Sequence, residues 1–164
     1  VDSAVLVLGA RLRRDGIALH VDIAESFTAT IEPLRLEQIL INLLSNAMDA
    51  LRDVPQPSIW LTARSSPEPI NAKHEEGRRS PSLSSSSPAI ASSACVSIEV
   101  RDNGPGLDVK RRAELFTPFA TGKPDGLGLG LVISRELARA TGGDLDAPPT
   151  ESSGAIFVLT LPII

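Results

Sequence analysis

The chain has 164 residues, enough for one domain of ordinary size and too few for two domains with separate cores. Hydrophobic residues make up 42% and charged residues 22%, which is typical of a folded globular domain. Four Phe, one Trp, no Tyr and a net charge of -4 argue against binding to nucleic acid, because nucleic-acid sites need aromatic or basic surface.

The first half of the chain predicts two helices and a strand. Residues 4–14 have apolar side chains at helical spacing before Gly16. Residues 17–23 alternate as a half-buried strand, with residues 28–31 as a candidate partner. The side chains on the inner side of that strand are Ile17, Leu19, Val21 and Ile23. The strongest helical pattern covers residues 36–51, and its inner face consists of Leu36, Ile39, Leu40, Leu43, Leu44, Ala47 and Leu51.

The second half predicts three strands, two helices and one long insert. The strands lie at residues 58–63, 95–102 and 155–161. Residues 64–94 hold ten Ser and four Pro, which predicts a flexible insert without a core. A short basic helix precedes Leu115, and a helix at 129–140 has as its inner side Leu129, Val132, Ile133, Leu137 and Ala140. This order favours an α+β fold with a largely antiparallel sheet covered on one face.

Three polar side chains, Asn42, Asn46 and Asp49, lie within roughly 60° of one another on the helix at 36–51, opposite its apolar face. Magnesium binds hard oxygen ligands and keeps several waters, so one amide oxygen beside the phosphates of a nucleotide is sufficient. Asn46 is the candidate for that ligand. The alternative is that all three residues form the solvated face of an amphipathic helix.

A carboxylate at a strand end is followed by two glycines in Asp102-Asn103-Gly104-Pro105-Gly106. The glycines allow a tight turn, and the carboxylate of Asp102 can accept a hydrogen bond from an amino group such as that of adenine. An ordinary Asn-Gly turn between two elements is the alternative.

A glycine run from Gly122 to Gly130 leads into the helix at 129–140. Backbone N–H groups of such a run and of the helix N-terminus can hold a phosphate chain, and Lys123 adds a positive charge. The spacing matches neither the P-loop nor the dinucleotide-binding fingerprint. A flexible loop with glycines at the helix entry remains the alternative.

In this order the motifs resemble the catalytic, ATP-binding domain of sensor histidine kinases, which shares a superfamily with DNA gyrase, chaperone and mismatch-repair ATPases. The resemblance covers residues 1–164 except the insert. The matching segments are 41–47 (N box), 102–106 (first G box), 116–119 (F box), 126–131 (second G box) and 154–157 (a final glycine-containing strand). The N box and the short lid are most similar to those of nitrogen-regulatory and C4-dicarboxylate-transport sensors.

The resemblance implies a Bergerat-type fold, a two-layer α/β sandwich with a mixed, mostly antiparallel sheet and helices on one face. It implies that ATP lies between the N-box helix and a mobile lid, with Asp102 on the adenine amino group, Asn46 on magnesium and Lys123 at the γ-phosphate. The full set of expected ATP contacts is Asn42, Asn46, Asp49, Asp102, Gly104, Gly106, Thr121, Lys123, Gly126, Gly128, Gly130 and Leu131.

Three positions depart from patterns in this superfamily. Gly122 stands where a second Thr is frequent, and Ala155 stands where a hydroxyl residue is frequent. The gyrase-type ATPases carry a Glu four residues before the magnesium Asn, but here that position is Asn42. Because an amide cannot act as a general base, slow hydrolysis is expected and phosphoryl transfer to a positioned acceptor is favoured.

Neither histidine is expected to be that acceptor. His20 lies within a strand, and His74 lies in the insert, without an apolar heptad to build a dimerisation hairpin. The implied partners are therefore a phosphoacceptor histidine hairpin elsewhere in a longer protein and a downstream response regulator, and this segment alone is not expected to phosphorylate itself. An anti-sigma-type protein serine kinase and a catalytically silent nucleotide-binding module are the alternatives.

Cysteine content and hydropathy predict the compartment. Cys95 is the single cysteine, which excludes an internal disulfide and a zinc site made of several cysteines and fits a reducing compartment. No apolar stretch is long enough to span a membrane, so no membrane contact is expected of this segment. We expect a cytoplasmic location, including the cytoplasmic end of a membrane-anchored sensor. Because the chain begins at Val1 rather than Met, we also expect it to be an excerpt of a longer protein.

Overall fold

The computed structural model describes residues 1–23, 26, 28–66, 94–120 and 128–163. In chain order the elements are α1 (Asp2–Arg14), β1 (Ala18–Ile23), α2 (Pro33–Ala50), β2 (Ser58–Ser66), β3 (Cys95–Asp102), α3 (Val109–Glu114), α4 (Gly130–Arg139), β4 (Asp144–Asp146) and β5 (Ile156–Pro162). The helix predicted at 36–51 begins one turn earlier than expected, with Pro33 in its first turn. Proline is tolerated there, because the N–H groups of the first turn make no hydrogen bond within the helix.

The five strands form one sheet in the order β1-β2-β3-β5-β4. β1 pairs with β2 in parallel, and the other three pairs are antiparallel. A parallel pair needs a crossover between its strands, and α2 supplies it here. The predicted α+β fold with a mixed, mostly antiparallel sheet is confirmed.

The core lies between one face of this sheet and the helices. Alternate residues of β2, β3 and β5 point inward and are buried, and α2 supplies the other side of the core. Side chains that are completely buried on α2 are Ile39, Leu40, Leu43 and Leu44, and those facing them from the sheet include Ile59, Leu61 and Leu159. This packing fixes α2 rigidly against the sheet, so the polar side of α2 is held at a defined position.

The prediction that β1 is half-buried is wrong for its second half. Val21 is 47% exposed and Ile23 is 41% exposed, although both alternate with polar residues as predicted. β1 is an edge strand, and the helical layer does not cover its far end. Residues 28–31 do not pair with it; instead, Ala29 forms an isolated bridge with Ile163.

The predicted inner side of α4 is confirmed at Leu137, which packs against the core, and is wrong at Ile133 and Ala140. Ile133 is 44% exposed and Ala140 is exposed, whereas Ser134 and Ala138 are buried. The side of α4 that packs inward is therefore rotated toward α2 relative to the side chosen by hydropathy. Gly130 also lies close to α2, as described below.

The remaining differences concern β4 and the insert. β4 was not predicted, because a strand of three residues is too short to show an alternating pattern. Residues 64–66, which were assigned to the insert, extend β2. The rest of the predicted insert, up to residue 93, lies outside the described residues. In the described part of the chain, no helix is both long enough and apolar enough to cross a membrane.

Candidate nucleotide-binding site

One face of α2 carries Asn42, Asn46 and Ala50 at intervals of four residues, so the three side chains form a row along the helix. Asn42 and Asn46 are half-buried, while Ala50 is exposed. The row spans about 12 Å, from the rise of an α-helix per residue. Other backbone segments approach α2 at both ends of this row, and these segments define the site.

At the Ala50 end, Asp102 ends β3 and is only 2% exposed. Its Oδ1 accepts hydrogen bonds from the backbone N–H of Gly104 (2.8 Å) and of Ala155 (3.2 Å). Burial raises the pKa of Asp102, and the two N–H groups and the nearby Arg101 oppose that effect. Both hydrogen bonds to this carboxylate in the described structure reach the same oxygen, so Oδ2 keeps its capacity to accept from a ligand.

The glycines after Asp102 are required by close backbone approaches. A Cβ at Gly104 would lie 2.8 Å from Oδ1 of Asp102 and 3.2 Å from the carbonyl oxygen of Ala50. Gly106 has a positive φ of 80°, and a Cβ there would lie 2.8 Å from the carbonyl oxygen of Gly154. The loop therefore lies directly against the end of α2 and against the turn before β5.

Asn103 anchors the same loop to the sheet. Its Oδ1 accepts from the backbone N–H of Ser58 (2.8 Å), and its Nδ2 donates to the carbonyl of Gln56 (3.1 Å). The Asn-Gly turn that the sequence left open as an alternative is thus present. It holds the buried carboxylate of Asp102 beside α2.

At the other end of the row, Asn42 contacts the beginning of α4. Its Nδ2 donates to Oγ of Ser134 at 2.9 Å. Its Oδ1 lies so close to Gly130 that a methyl group at that position would overlap it. The N-terminal turn of α4, which points unpaired N–H groups out of the helix, is therefore held against α2 beside Asn42.

Asp49 faces α1 rather than α4. Its Oδ1 pairs with Arg11 at 2.5 Å and with Arg52 at 3.3 Å, and Arg11 also donates to Ser45 at 3.1 Å. Asp49 and Arg52 line a cleft of about 470 Å³ together with Gly104. Asp49 thus links α1 to α2 and also borders the cleft at the Ala50 end of the row.

The F-box segment packs against α4 and the end of the glycine run. The guanidinium of Arg135 lies 4.3 Å from the ring centre of Phe116. Phe119 has a positive φ of 66° and is 72% exposed. Gly128, with a φ of 67°, approaches the backbone of Phe119 so closely that a Cβ would lie 2.8 Å from its carbonyl carbon.

Two charged groups missed by the sequence analysis fix α4 from its outer side. Arg135 donates to Asp144 at 3.0 Å, and Arg139 does so at the same distance. Burial alone would raise the pKa of Asp144, but the two guanidinium groups outweigh burial and hold this pKa well below its usual range. Spacing of Arg135 and Arg139 at i and i+4 was the available sequence signal, but their partner lies on the unpredicted β4.

Some of the other ATP contacts expected from the sequence are described by the structure, and some are not. Leu131 is partly buried against the core, which is a packing position. Thr121, Lys123 and Gly126 lie outside the described residues. Ser134, the partner of Asn42, was not singled out from the sequence, although a serine in an otherwise apolar helical stripe was a signal for it.

Curated relatives of this chain include sensor proteins. The C4-dicarboxylate transport sensor protein DctB of Rhizobium meliloti is 34% identical over 162 residues, which are 98% of this chain and 22% of DctB. The sensor protein TorS of Escherichia coli is 32% identical, over 99% of this chain and 15% of TorS. The chain thus spans about a fifth or less of the length of these relatives.

Solved structures show the same fold. The catalytic domain of histidine kinase ThkA has a TM-score of 0.72 and 21% identity, with 98% of this chain and 88% of that chain covered. Full-length ShkA, solved in complex with AMPPNP, has a TM-score of 0.69 and 27% identity, with 99% of this chain and 29% of ShkA covered.

The two ends of the α2 row coincide with the segments that the sequence compared with the N box and the two G boxes. Residues 31–164, most of the chain, match one family model. The chain therefore belongs to the family of histidine kinase-, DNA gyrase B- and HSP90-like ATPases.

Proposed function

We propose that this chain is the catalytic, ATP-binding domain of a two-component sensor histidine kinase, which binds ATP with magnesium and donates the γ-phosphoryl group to a histidine on a separate segment. One observation supports the proposal above all others. A single face of α2 runs from the loop over the buried Asp102 to the N-terminus of α4, and the asparagines Asn42 and Asn46 lie on it. Its length of about 12 Å is within the reach of one nucleoside triphosphate.

The base would bind at the Asp102 end. The carboxylate is buried, its Oδ1 is fixed by two backbone donors, and Oδ2 can accept from the amino group of adenine. Guanine presents a carbonyl at the equivalent position, and two acceptors would then face each other. The cleft of about 470 Å³ that Ala50 and Gly104 help to line is the space that we propose for the base.

The phosphates would bind toward the Asn42 end. The N-terminal turn of α4 favours anionic groups there, and we include the run that contains Thr121, Lys123 and Gly126 in the same phosphate site. Gly128 and Gly130 complete the run, and their tight contacts leave no space for a side chain.

Magnesium fits the ligands that this face offers. Asn46, between the two ends, supplies one hard amide oxygen, and magnesium commonly takes its other ligands from phosphates and water. In the described ranges, no group of three His, Cys, Asp or Glu side chains is arranged to hold a metal ion. When bound, magnesium neutralises charge on the transferring phosphoryl group.

The chemistry of Asn42 favours transfer of the phosphoryl group over hydrolysis of ATP. Its amide donates to Ser134 and has no basic group with which to activate water. We place the acceptor outside this segment, because His20 lies in β1 with its ring stacked on Trp60 at 5.5 Å and His74 belongs to the Ser-rich segment without an apolar heptad. A phosphoacceptor histidine hairpin and a downstream response regulator are therefore the proposed partners.

Calorimetric titration tests the nucleotide site. We expect the chain to bind ATP more tightly with magnesium than without it, and to bind GTP at least tenfold more weakly, from the loss of about one hydrogen bond to a charged group. Asn46→Ala should remove most of the magnesium effect. Gln38→Ala, which removes an exposed amide from the same helix two turns earlier, is the matched control.

Labelled ATP tests the transfer itself. The chain is mixed with γ-labelled ATP and a histidine-bearing dimerisation segment from a related sensor. Acid-labile, base-stable label on that segment supports the proposal. Acid-stable phosphoserine would indicate a serine kinase instead, and ATP binding without any transfer would indicate a regulatory module.

A further inference from the structure

We propose that Ser134 is a positioning residue of the ATP site: through its hydrogen bond to Asn42, it holds the first turn of α4 at a fixed place beside Asn46. This inference rests on the proposed function, because it assigns a role within that site. It also gives Asn42 a role that differs from direct contact with the nucleotide.

The first observation is the burial of Ser134. Among the described residues, the polar side chains that are buried are Asp102 and Ser134, each 2% exposed. A buried hydroxyl group costs free energy unless it is hydrogen-bonded, and Ser134 meets that requirement through Nδ2 of Asn42 at 2.9 Å. Ala138, one turn later on the same side of α4, packs with no exposure at all. Packing alone would therefore be satisfied by Ala at position 134.

The second observation is that the amide of Asn42 is held on both sides. Its nitrogen donates to Ser134, and its oxygen lies directly against the backbone of Gly130. Ser134 follows Gly130 by one helical turn, so both contacts act on the first turns of α4. Together they fix the rotation of α4 and its distance from α2.

The third observation is the position of this clasp of Asn42, Ser134 and Gly130 relative to the site. Asn46 lies one turn along α2 from Asn42, on the same face. The N-cap residue of α4, Leu129, makes no side-chain cap, so the first N–H groups of α4 receive no hydrogen bond from that side chain. A small displacement of this turn would move those N–H groups away from the phosphates, and displacements near 1 Å are costly in preorganised sites.

A positioning role and a purely structural role of Ser134 predict different effects on the affinities for two ligands. If the clasp positions the phosphate end of the site, its loss should weaken a triphosphate much more than a ligand that uses mainly the base end. A contact that only stabilises the fold would lower the melting temperature and leave the ratio of the two affinities unchanged.

The experiment is a double-mutant cycle read by calorimetry with ATP and AMP, each with magnesium. Its variants are Ser134→Ala, Asn42→Ala and the double variant, with Ser134→Cys as a near-isosteric second variant that has a weaker acceptor. Thr141→Ala is the control, since it removes a hydroxyl group that bonds the carbonyl of Ala138 at the opposite end of α4. Thermal unfolding confirms that each variant is folded.

We expect Ser134→Ala to raise the Kd for ATP about fivefold to tenfold, which is within the range for one neutral hydrogen bond, and the Kd for AMP less than twofold. Asn42→Ala and the double variant should show about the same factor, because each breaks the same clasp. Thr141→Ala should leave both Kd values unchanged.

If the wild type binds ATP, two outcomes would overturn the role of Ser134 and leave the proposed function standing. One is an unchanged ratio of ATP to AMP affinity in Ser134→Ala. The other is a loss of ATP affinity in the double variant that equals the product of the losses in the two single variants. Multiplying factors would mean that Asn42 contacts the nucleotide independently of Ser134. If the wild-type chain is folded and binds no ATP, the proposed function fails, and the inference fails with it.

Discussion

Replacing Asp102 with Asn exchanges one oxygen of the carboxylate for an NH₂ group and keeps the surrounding structure. Oδ1 accepts from Gly104 at 2.8 Å and from Ala155 at 3.2 Å, and an amide oxygen can accept both bonds. The NH₂ group must then take the place of Oδ2. A donor therefore stands where the proposed site needs an acceptor, and the amino group of adenine meets it donor to donor.

The magnitude follows from the burial of Asp102. A hydrogen bond to a charged group is worth about 1.5 to 3 kcal/mol, which corresponds to an ATP affinity about ten to a hundred times lower in Asp102→Asn. Inosine triphosphate has a carbonyl at the position of the adenine amino group, so it gains an acceptable partner from the same change. The preference for ATP over inosine triphosphate should therefore fall by more than the ATP affinity itself.

Calorimetry with ATP and inosine triphosphate on the wild type and Asp102→Asn measures both quantities. Asp146→Asn is the matched control, because Asp146 also accepts from a backbone N–H, that of Ala147 at 2.8 Å, but lies exposed on β4. Equal loss of both ligands in folded Asp102→Asn, or no loss of ATP binding, would refute the assignment of Asp102 to the base.

Three further predictions concern stability. Burial raises the pKa of Asp102 in the folded chain, so the protonated side chain stabilises the fold. This contribution to the free energy of unfolding is complete below about pH 4 and is lost as the pH rises through the pKa of Asp102 in the folded chain. Urea melts at several pH values should show the loss in the wild type and not in Asp102→Asn. The pKa of Asp144 is lowered, so its ionised carboxylate stabilises the folded chain. Asp144→Asn should lower the free energy of unfolding by about 2 kcal/mol at pH 7 and by less as the pH falls below about 4. Urea melts at pH 7 and pH 3 measure this difference, and an equal loss of stability at both would contradict the prediction. Gly142→Ala should cost about 1 to 2 kcal/mol for its positive φ, whereas Gly154→Ala should cost clearly more, because its methyl group would also overlap the carbonyl oxygen of Asp102; equal melting temperatures would contradict that overlap.

The sequence predicted α2 well because its signal is local and long. Apolar residues recur at helical spacing over the helix, and burial of that side follows directly. β3 was predicted at its observed bounds for a similar reason, since Val96, Ile98 and Val100 alternate with polar residues. Hydropathy reports which side of an element is apolar, but it does not report whether another layer covers that side. The exposed Val21 and Ile23 of the edge strand β1 illustrate this limit.

Among the described residues, the two buried polar side chains show why one half of the candidate site could be proposed from the sequence and the other could not. Asp102 follows an alternating strand and precedes two glycines, so five consecutive residues were enough to propose its role and to predict the turn beside it. The partner of Ser134 is Asn42, 92 residues earlier in the chain, and no pattern near Ser134 points to it. The rotation of α4 follows from this distant contact and from the close approach of Gly130, which hydropathy cannot detect. A candidate site residue whose neighbours in the chain shape its surroundings can thus be proposed from the sequence, whereas a contact between two distant helices requires the structure.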